Sequence, residues 1–300
     1  MRARAPMRPS ADLLERFRVA VAGPADAVPL AQTALLIAEA ERPELEPERY
    51  DEQLAAWATT LEARVHPAAE PRAQLEAASA LLFGELGFHG NEDNYSDPRN
   101  LLLDQVIERR TGIPITLAIL YVEVCRRAGL DVRGVGMPGH VIVRHAQTAT
   151  QSTEPEHSGA SGEATPYVDV FRGGEFLSVD DCERIVRSIY GGQTPFGLHS
   201  LDVVTPRQLL QRLLHNLKAG ALHRGDEAQA ERTIELLLTL APWDLDEIRD
   251  RGRLHERLGD YAAALPDLEA YLRYRPVARD AQTIAESVRS LRRHTGAETS

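Results

Sequence analysis

Five residues recur at one fixed interval in the last third of this chain. Gly225, Asp226, Ala230, Leu238 and Pro242 return as Gly259, Asp260, Ala264, Leu272 and Pro276, each 34 residues later. A period of this length describes two antiparallel helices per unit, with a small residue where they cross and a proline closing the second. No single unit buries its apolar face alone, so neighbouring units must stack. Gly252 adds a further small position in the second unit, where the first has Lys218. Two units and a closing helix over 280–293 predict an all-α region spanning 205–300, with Gly225, Ala230, Pro242, Gly252, Gly259, Ala264 and Pro276 as its defining residues.

Charge separates this region from what precedes it. The whole chain has 34 basic and 45 acidic residues, while 205–300 holds 15 of each, so the acidic excess lies entirely in 1–204. A net charge of −11 argues against a general nucleic-acid binder, because phosphate neutralisation supplies most non-specific affinity. No run approaches the roughly 18 apolar residues of a membrane span, and the arginine-containing N-terminus lacks the apolar core of a signal peptide. A cytoplasmic protein is expected. Its two cysteines, Cys125 and Cys182, predict reduced thiols rather than a disulfide framework. No C-x-x-C, H-x-x-x-H or H-E-x-x-H set accompanies them, so neither a metal nor a cofactor is expected.

Residues 1–9, rich in arginine and proline, predict a disordered tail. Apolar spacing then predicts helices over 10–21, 29–41, 47–66, 71–86 and 99–110. The segment 113–128 is apolar on nearly all sides and belongs in the middle of a domain. Strands follow over 132–135, 141–144, 167–170 and 175–179, antiparallel and joined by turns. Between them, 146–166 is polar and of low complexity, which predicts a disordered insertion. The expected fold is therefore α+β over 10–204: N-terminal helices, then a core helix on a small antiparallel sheet.

Several segments of this first part resemble one family. They are Leu86-Gly87-Phe88-His89-Gly90-Asn91, Asn94-Tyr95-Ser96-Asp97-Pro98-Arg99-Asn100, Arg109-Arg110-Thr111-Gly112-Ile113-Pro114-Ile115-Thr116-Leu117, Gly134-Val135-Gly136-Met137-Pro138-Gly139-His140 and Phe171-Arg172-Gly173-Gly174. Together they are similar to the bacterial SirB1 family, in order from about Pro29 to about Pro276. That resemblance implies a transglutaminase-like domain followed by tetratricopeptide repeats and, from the family's name, a regulatory role. It also places the pattern G-x-C, which opens the core helix of transglutaminase-like enzymes, on Gly112-Ile113-Pro114. Proline suits the first turn of a helix and has no nucleophilic atom.

Thiol chemistry of this type needs a thiolate at a helix N-terminus, a histidine on a facing strand and a carboxylate to orient it. His140 after its Pro-Gly turn, and Asp169 on the next strand, supply the last two; Val170 stands where the family usually has proline. The expectation is a degenerate, non-catalytic module coupled to a repeat surface that binds a protein or peptide. The alternative is an active thiol hydrolase or acyl transferase using His140 and Asp169 with a non-standard nucleophile, for which Cys182 is the remaining choice. Asn94, Tyr95, Asp97, Arg99 and Asn100, with the hydroxyl of Thr116, are the candidates for holding a ligand in the cleft, since loops on rigid scaffolds commonly do so.

Overall fold

The computed structural model describes residues 8–66, 69–146 and 166–296. It divides into two compact units, residues 19–213 and residues 214–296 joined by 8–18. The predicted insertion at 146–166 falls almost wholly outside the described residues, as do 1–7 of the predicted tail. The tail expectation is corrected at its end. Arg8 pairs with Glu231 at 2.7 Å, and Pro9 is buried.

Residues 19–213 form the α+β unit. Its helices α1 (Ala11–Val21, shared with the other unit), α2 (Leu30–Glu41), α3 (Pro47–Glu62) and α4 (Pro71–Ser79) precede the core. Ser10 caps α1 through Leu13 N–H at 3.1 Å, and proline opens both α3 and α4 where its missing N–H costs nothing. The expected run to Leu86 is present but changes pitch. After Ser79 the backbone widens to an i→i+5 bond, Leu86 N–H to Leu81 O at 2.9 Å. The helix expected over 99–110 divides at Leu102, which is extended, into a 3₁₀ turn (Pro98–Leu101) and α5 (Leu103–Arg109).

Two short strands the sequence pattern did not signal, β1 (His89–Gly90) and β2 (Thr111–Gly112), pair in parallel and lead into α6 (Pro114–Arg127). Nearly every residue of α6 is buried, as its apolar composition required. The sheet is antiparallel in the order β6-β5-β4-β3-β7, built from β3 (Val132–Val135), β4 (Ile142–His145), β5 (Tyr167–Asp169), β6 (Glu175–Leu177) and β7 (Val203–Val204). Tyr167, Val168 and Asp169 face Leu177, Phe176 and Glu175 in register. The last strand ends earlier than expected because Ser178 caps the next helix, α7 (Val179–Tyr190), through Asp181 N–H. Helix α6 packs on β3 and β4, while Val135, Ile142, Tyr167 and Leu177 pack with Cys182, Ile185 and Val186 of α7. All four residues of β4 are buried, so the sheet is covered on both faces.

The repeat unit contains α9 (Glu227–Leu240), α10 (Leu245–Leu258), α11 (Tyr261–Tyr274) and α12 (Ala281–Thr295), entered through α8 (Pro206–Arg224). Its defining residues behave as equivalents. Gly225 and Gly259 adopt φ of +68° and +77°, and Asp226 and Asp260 cap their helices at 3.0 and 3.1 Å. Ala230 and Ala264 are fully buried. A Cβ at Gly252 would stand 2.7 Å from Leu268, so the close helix crossing there needs glycine. The boundary expected at 204/205 lies instead within α8, at 213/214. Its first turns belong with the sheet, since Leu209 fills the space beside Gly134.

Candidate functional site

His140 is presented by the turn Met137-Pro138-Gly139-His140, closed by His140 N–H on Met137 O at 3.2 Å. Gly139 has φ +71°, and a Cβ there would press against Ile189 and Tyr190 at 3.0 Å, so both backbone and packing demand glycine. The imidazole is 8% exposed, and its Nε2 lies 3.0 Å from Oδ1 of the fully buried Asp169. A carboxylate accepts, so Nε2 carries the proton and Nδ1 is left as the basic nitrogen. Asp169 Oδ1 also accepts from the backbone N–H groups of Phe171 (3.0 Å) and Arg172 (3.3 Å). Among the described residues its Oδ2 has no hydrogen-bond partner, the Arg172 guanidinium standing 3.9 Å away.

Phe171 joins this pair to the polar loop. Its ring meets His140 edge to face with centroids 6.4 Å apart, and Tyr95 at 5.9 Å. Gly90 makes room for it: a Cβ at that position would lie 2.5 Å from Phe171 O. The loop candidates then divide. Asn100, fully buried, donates to the backbone oxygens of Asn94 (2.8 Å) and Tyr95 (3.2 Å) and accepts from Asn91 (3.0 Å). Asp97 is taken by Arg99, with Nη2 to Oδ2 at 2.6 Å, and that hydrogen bond holds its carboxyl below the ordinary range against the opposing effect of burial. Thr116 donates its hydroxyl to Asn100 O at 2.7 Å. The side chains of Asp97, Arg99, Asn100 and Thr116 are thus engaged within the loop and its helix, Asn94 is exposed and held through its backbone, and Tyr95 is half exposed and faces the site.

The structure does not bring a thiol to His140. Pro114 begins α6, and Asp169 is the hydrogen-bond partner of the His140 ring among the described residues. Cys182 is fully buried against the sheet, and burial, with Asp181 and Asp169 nearby, pushes its thiol up to about 12. Burial also pushes the Cys125 thiol up. A thiol with so high a pKa has little thiolate at neutral pH.

Three participants escaped the sequence reading: Phe171, Tyr190 and Arg212. Arg212 donates Nη1 to Met137 O at 2.9 Å, the same carbonyl that accepts from His140 N–H. Phe171 stood in a quoted segment, yet nothing in the pattern signalled its direction, and Arg212 lies 75 residues from its acceptor. One arrangement among the described residues has cation-ligand spacing: His215, Asp244 and Glu247, with donor atoms within 4.8 Å. Lys218 pairs with Glu247 Oε1 at 2.5 Å and Asp244 caps α10, while Glu247 Oε2 is buried with no hydrogen-bond partner among the described residues.

Comparison with known families matches residues 48–215 to the transglutaminase-like superfamily and residues 217–289 to the tetratricopeptide repeat. A UPF0162 protein of Xylella fastidiosa is 34% identical over 254 residues, covering 84% of this chain and 85% of its own length. The chain belongs to this UPF0162, SirB1-like family. Another member, from Vibrio cholerae, is 27% identical over 266 residues, covering 89% of this chain and 93% of its own length. The chain is also similar to F-box only protein 21 of Homo sapiens, 29% identical over 188 residues, which are 62% of this chain and 28% of that one. The expected architecture, a transglutaminase-like domain followed by tetratricopeptide repeats, is therefore the observed one. Among the described residues no helix is long and apolar enough to cross a membrane.

Proposed function

We propose that this protein is a non-catalytic transglutaminase-like module coupled to a helical-repeat surface for a protein or peptide partner, serving a cytoplasmic regulatory or scaffolding role. One observation carries the first half: the helix start that would present a nucleophile is Pro114, and both cysteines of the chain are fully buried. The repeat half rests on the nature of tetratricopeptide stacks, whose paired helices make surfaces for peptides and helices. Iodoacetamide at neutral pH, followed by intact-mass analysis, tests the reading. Neither cysteine should label at a rate near that of free cysteine. Rapid alkylation of Cys182 that disappears in His140→Ala would mean a coupled thiolate and imidazolium, and would end it.

A second reading has a specific observation in its favour. His140 retains a buried carboxylate partner and an available Nδ1, the arrangement of a general base. On that reading the module is a hydrolase or acyl transferase with a non-standard nucleophile, and a covalent adduct with an acyl probe, lost in Asp169→Asn, would support it.

A further inference from the structure

Arginines of the α+β unit that are withdrawn from water meet carboxylates or aromatic faces: Arg110 stands over Trp57 and Phe88 at 4.6 and 4.7 Å, and Arg144 over Tyr167 at 5.1 Å. Arg42 pairs with Asp104, Arg127 with Glu123 and Asp51, and Arg109 lies 3.6 Å from Asp97. Arg212 does not. Its hydrogen bond among the described residues goes to a neutral backbone oxygen, Met137 O, which leaves four of its five N–H groups without a protein acceptor. Burial depresses its pKa, so the charge is held at a cost, and among the described residues no acidic side chain offsets it.

The surroundings of that guanidinium are those of a ligand site. Through Met137 O it is tied to the turn that presents His140. Tyr95 and Tyr190 both lie within its electrostatic reach. Tyr190 and Ile189 close over Gly139, next to His140, while Tyr95 is linked to His140 through the Phe171 ring. Tyr95, Ile189 and Tyr190 are 50%, 47% and 42% exposed, an apolar rim open to solvent around a desolvated cation.

We propose that Arg212 binds the carboxylate of a small ligand whose apolar portion rests on Tyr95, Ile189 and Tyr190, beside His140. A guanidinium receives a carboxylate through two parallel N–H bonds, and the available donors permit that geometry. One cation matches one negative charge. A phosphate dianion would call for a second cation, and the Arg172 guanidinium beside the His140–Asp169 pair faces Asp169 Oδ2 at 3.9 Å. The site holds a ligand whether or not His140 performs chemistry, so it stands apart from the non-catalytic reading.

The test is titration of the full chain with 3-phenylpropionate, its neutral amide and phenyl phosphate, followed by calorimetry and by the His140 ring signals in NMR. The acid should bind saturably and shift those signals. The amide should bind at least about tenfold more weakly, as should the acid to Arg212→Met, with Arg212→Lys between. Arg212→Met also removes the bond to Met137 O; should it fail to fold, the acid and amide pair on the unaltered chain still decides. Equal affinity for acid and amide, no saturation by the acid below about 10 mM, or tighter binding of phenyl phosphate than of the acid would overturn the proposal. Thiol labelling is unaffected by any of these results.

Discussion

In the repeat unit, Arg8–Glu231 and Lys218–Glu247 apart, the dependent residues described above lie within one or two neighbouring helices. Asp226 caps α9 through Gln229, three residues on, and Arg251 pairs with Asp267 sixteen residues away. In the transglutaminase-like unit the corresponding separations are longer: His140 to Asp169 is 29 residues, and Arg212 to Met137 is 75. The first kind of order repeats along the chain and is stabilised neighbour by neighbour. The second exists only once a sheet, a covering helix and two loops have met. Damage should therefore stay local in the repeats and spread through the α+β unit.

The largest expected effect tests that locality. Leu268 is fully buried among Ala264, Tyr271, Ile284 and Leu291 and fills the space left by Gly252. Leu268→Ala should cost about 3 kcal/mol by lost contacts and the cavity left behind. Native-state hydrogen exchange should show amides of α10 to α12 opening while those of α6 and the sheet keep their protection. Equal loosening of both units would break the comparison.

Alkaline pH should act in the opposite direction. Both cysteines lie in the α+β unit, and their folded pKa values are raised, Cys182 to about 12, above the roughly 8.5 of an unfolded thiol. A raised thiol contributes stability that is complete below about pH 8.5 and is lost as pH climbs toward the folded value, by at most about 1.4 kcal/mol per thiol per pH unit. The repeats have no cysteine. Their half-buried Lys218, disfavoured by burial but held above its ordinary pKa by Asp250 and Glu247, keeps its contribution until about pH 10.4. Between about pH 8.5 and 10, then, urea should unfold the α+β unit earlier while the repeats hold steady. The chain has one tryptophan in each unit, Trp57 and Trp243, so fluorescence of the two single-tryptophan variants reads the midpoints separately. A parallel fall of both would refute the assignment.

The smallest effect concerns equivalence within the repeats. Asp226→Ala and Asp260→Ala each remove one cap bond and should each cost about 1 kcal/mol in urea unfolding. A difference of more than about 1 kcal/mol would show that the 34-residue spacing does not make the two units energetically alike.

These contrasts explain how much of the molecule could be read in advance. The repeats were legible because Gly225 and Gly259, Asp226 and Asp260, Ala230 and Ala264 answer local demands: a left-handed φ, a cap, a close crossing. The apolar circumference of α6 likewise announced its place in the core. The meeting of His140 with Asp169 followed from neighbouring strands. Yet β1, β2 and β7, two residues each, were too short to carry a periodic signal. The polar loop showed its composition but not its use, since Asn100 and Tyr95 look equally able to meet a ligand until one is buried and the other is not.

By itself, then, the sequence determined the helix pairs, the buried helix, the strand order that brings a carboxylate to an imidazole, and a proline where a thiol would stand. Each depends on dihedral preference, periodicity or the identity of one residue, all properties of a short stretch of chain. Tertiary structure alone decided that Cys182 is sealed against the sheet and that Arg212 comes to His140's turn without an anionic partner among the described residues. Desolvation and pairing depend on which distant elements cover a side chain, and that is settled only when the whole unit packs.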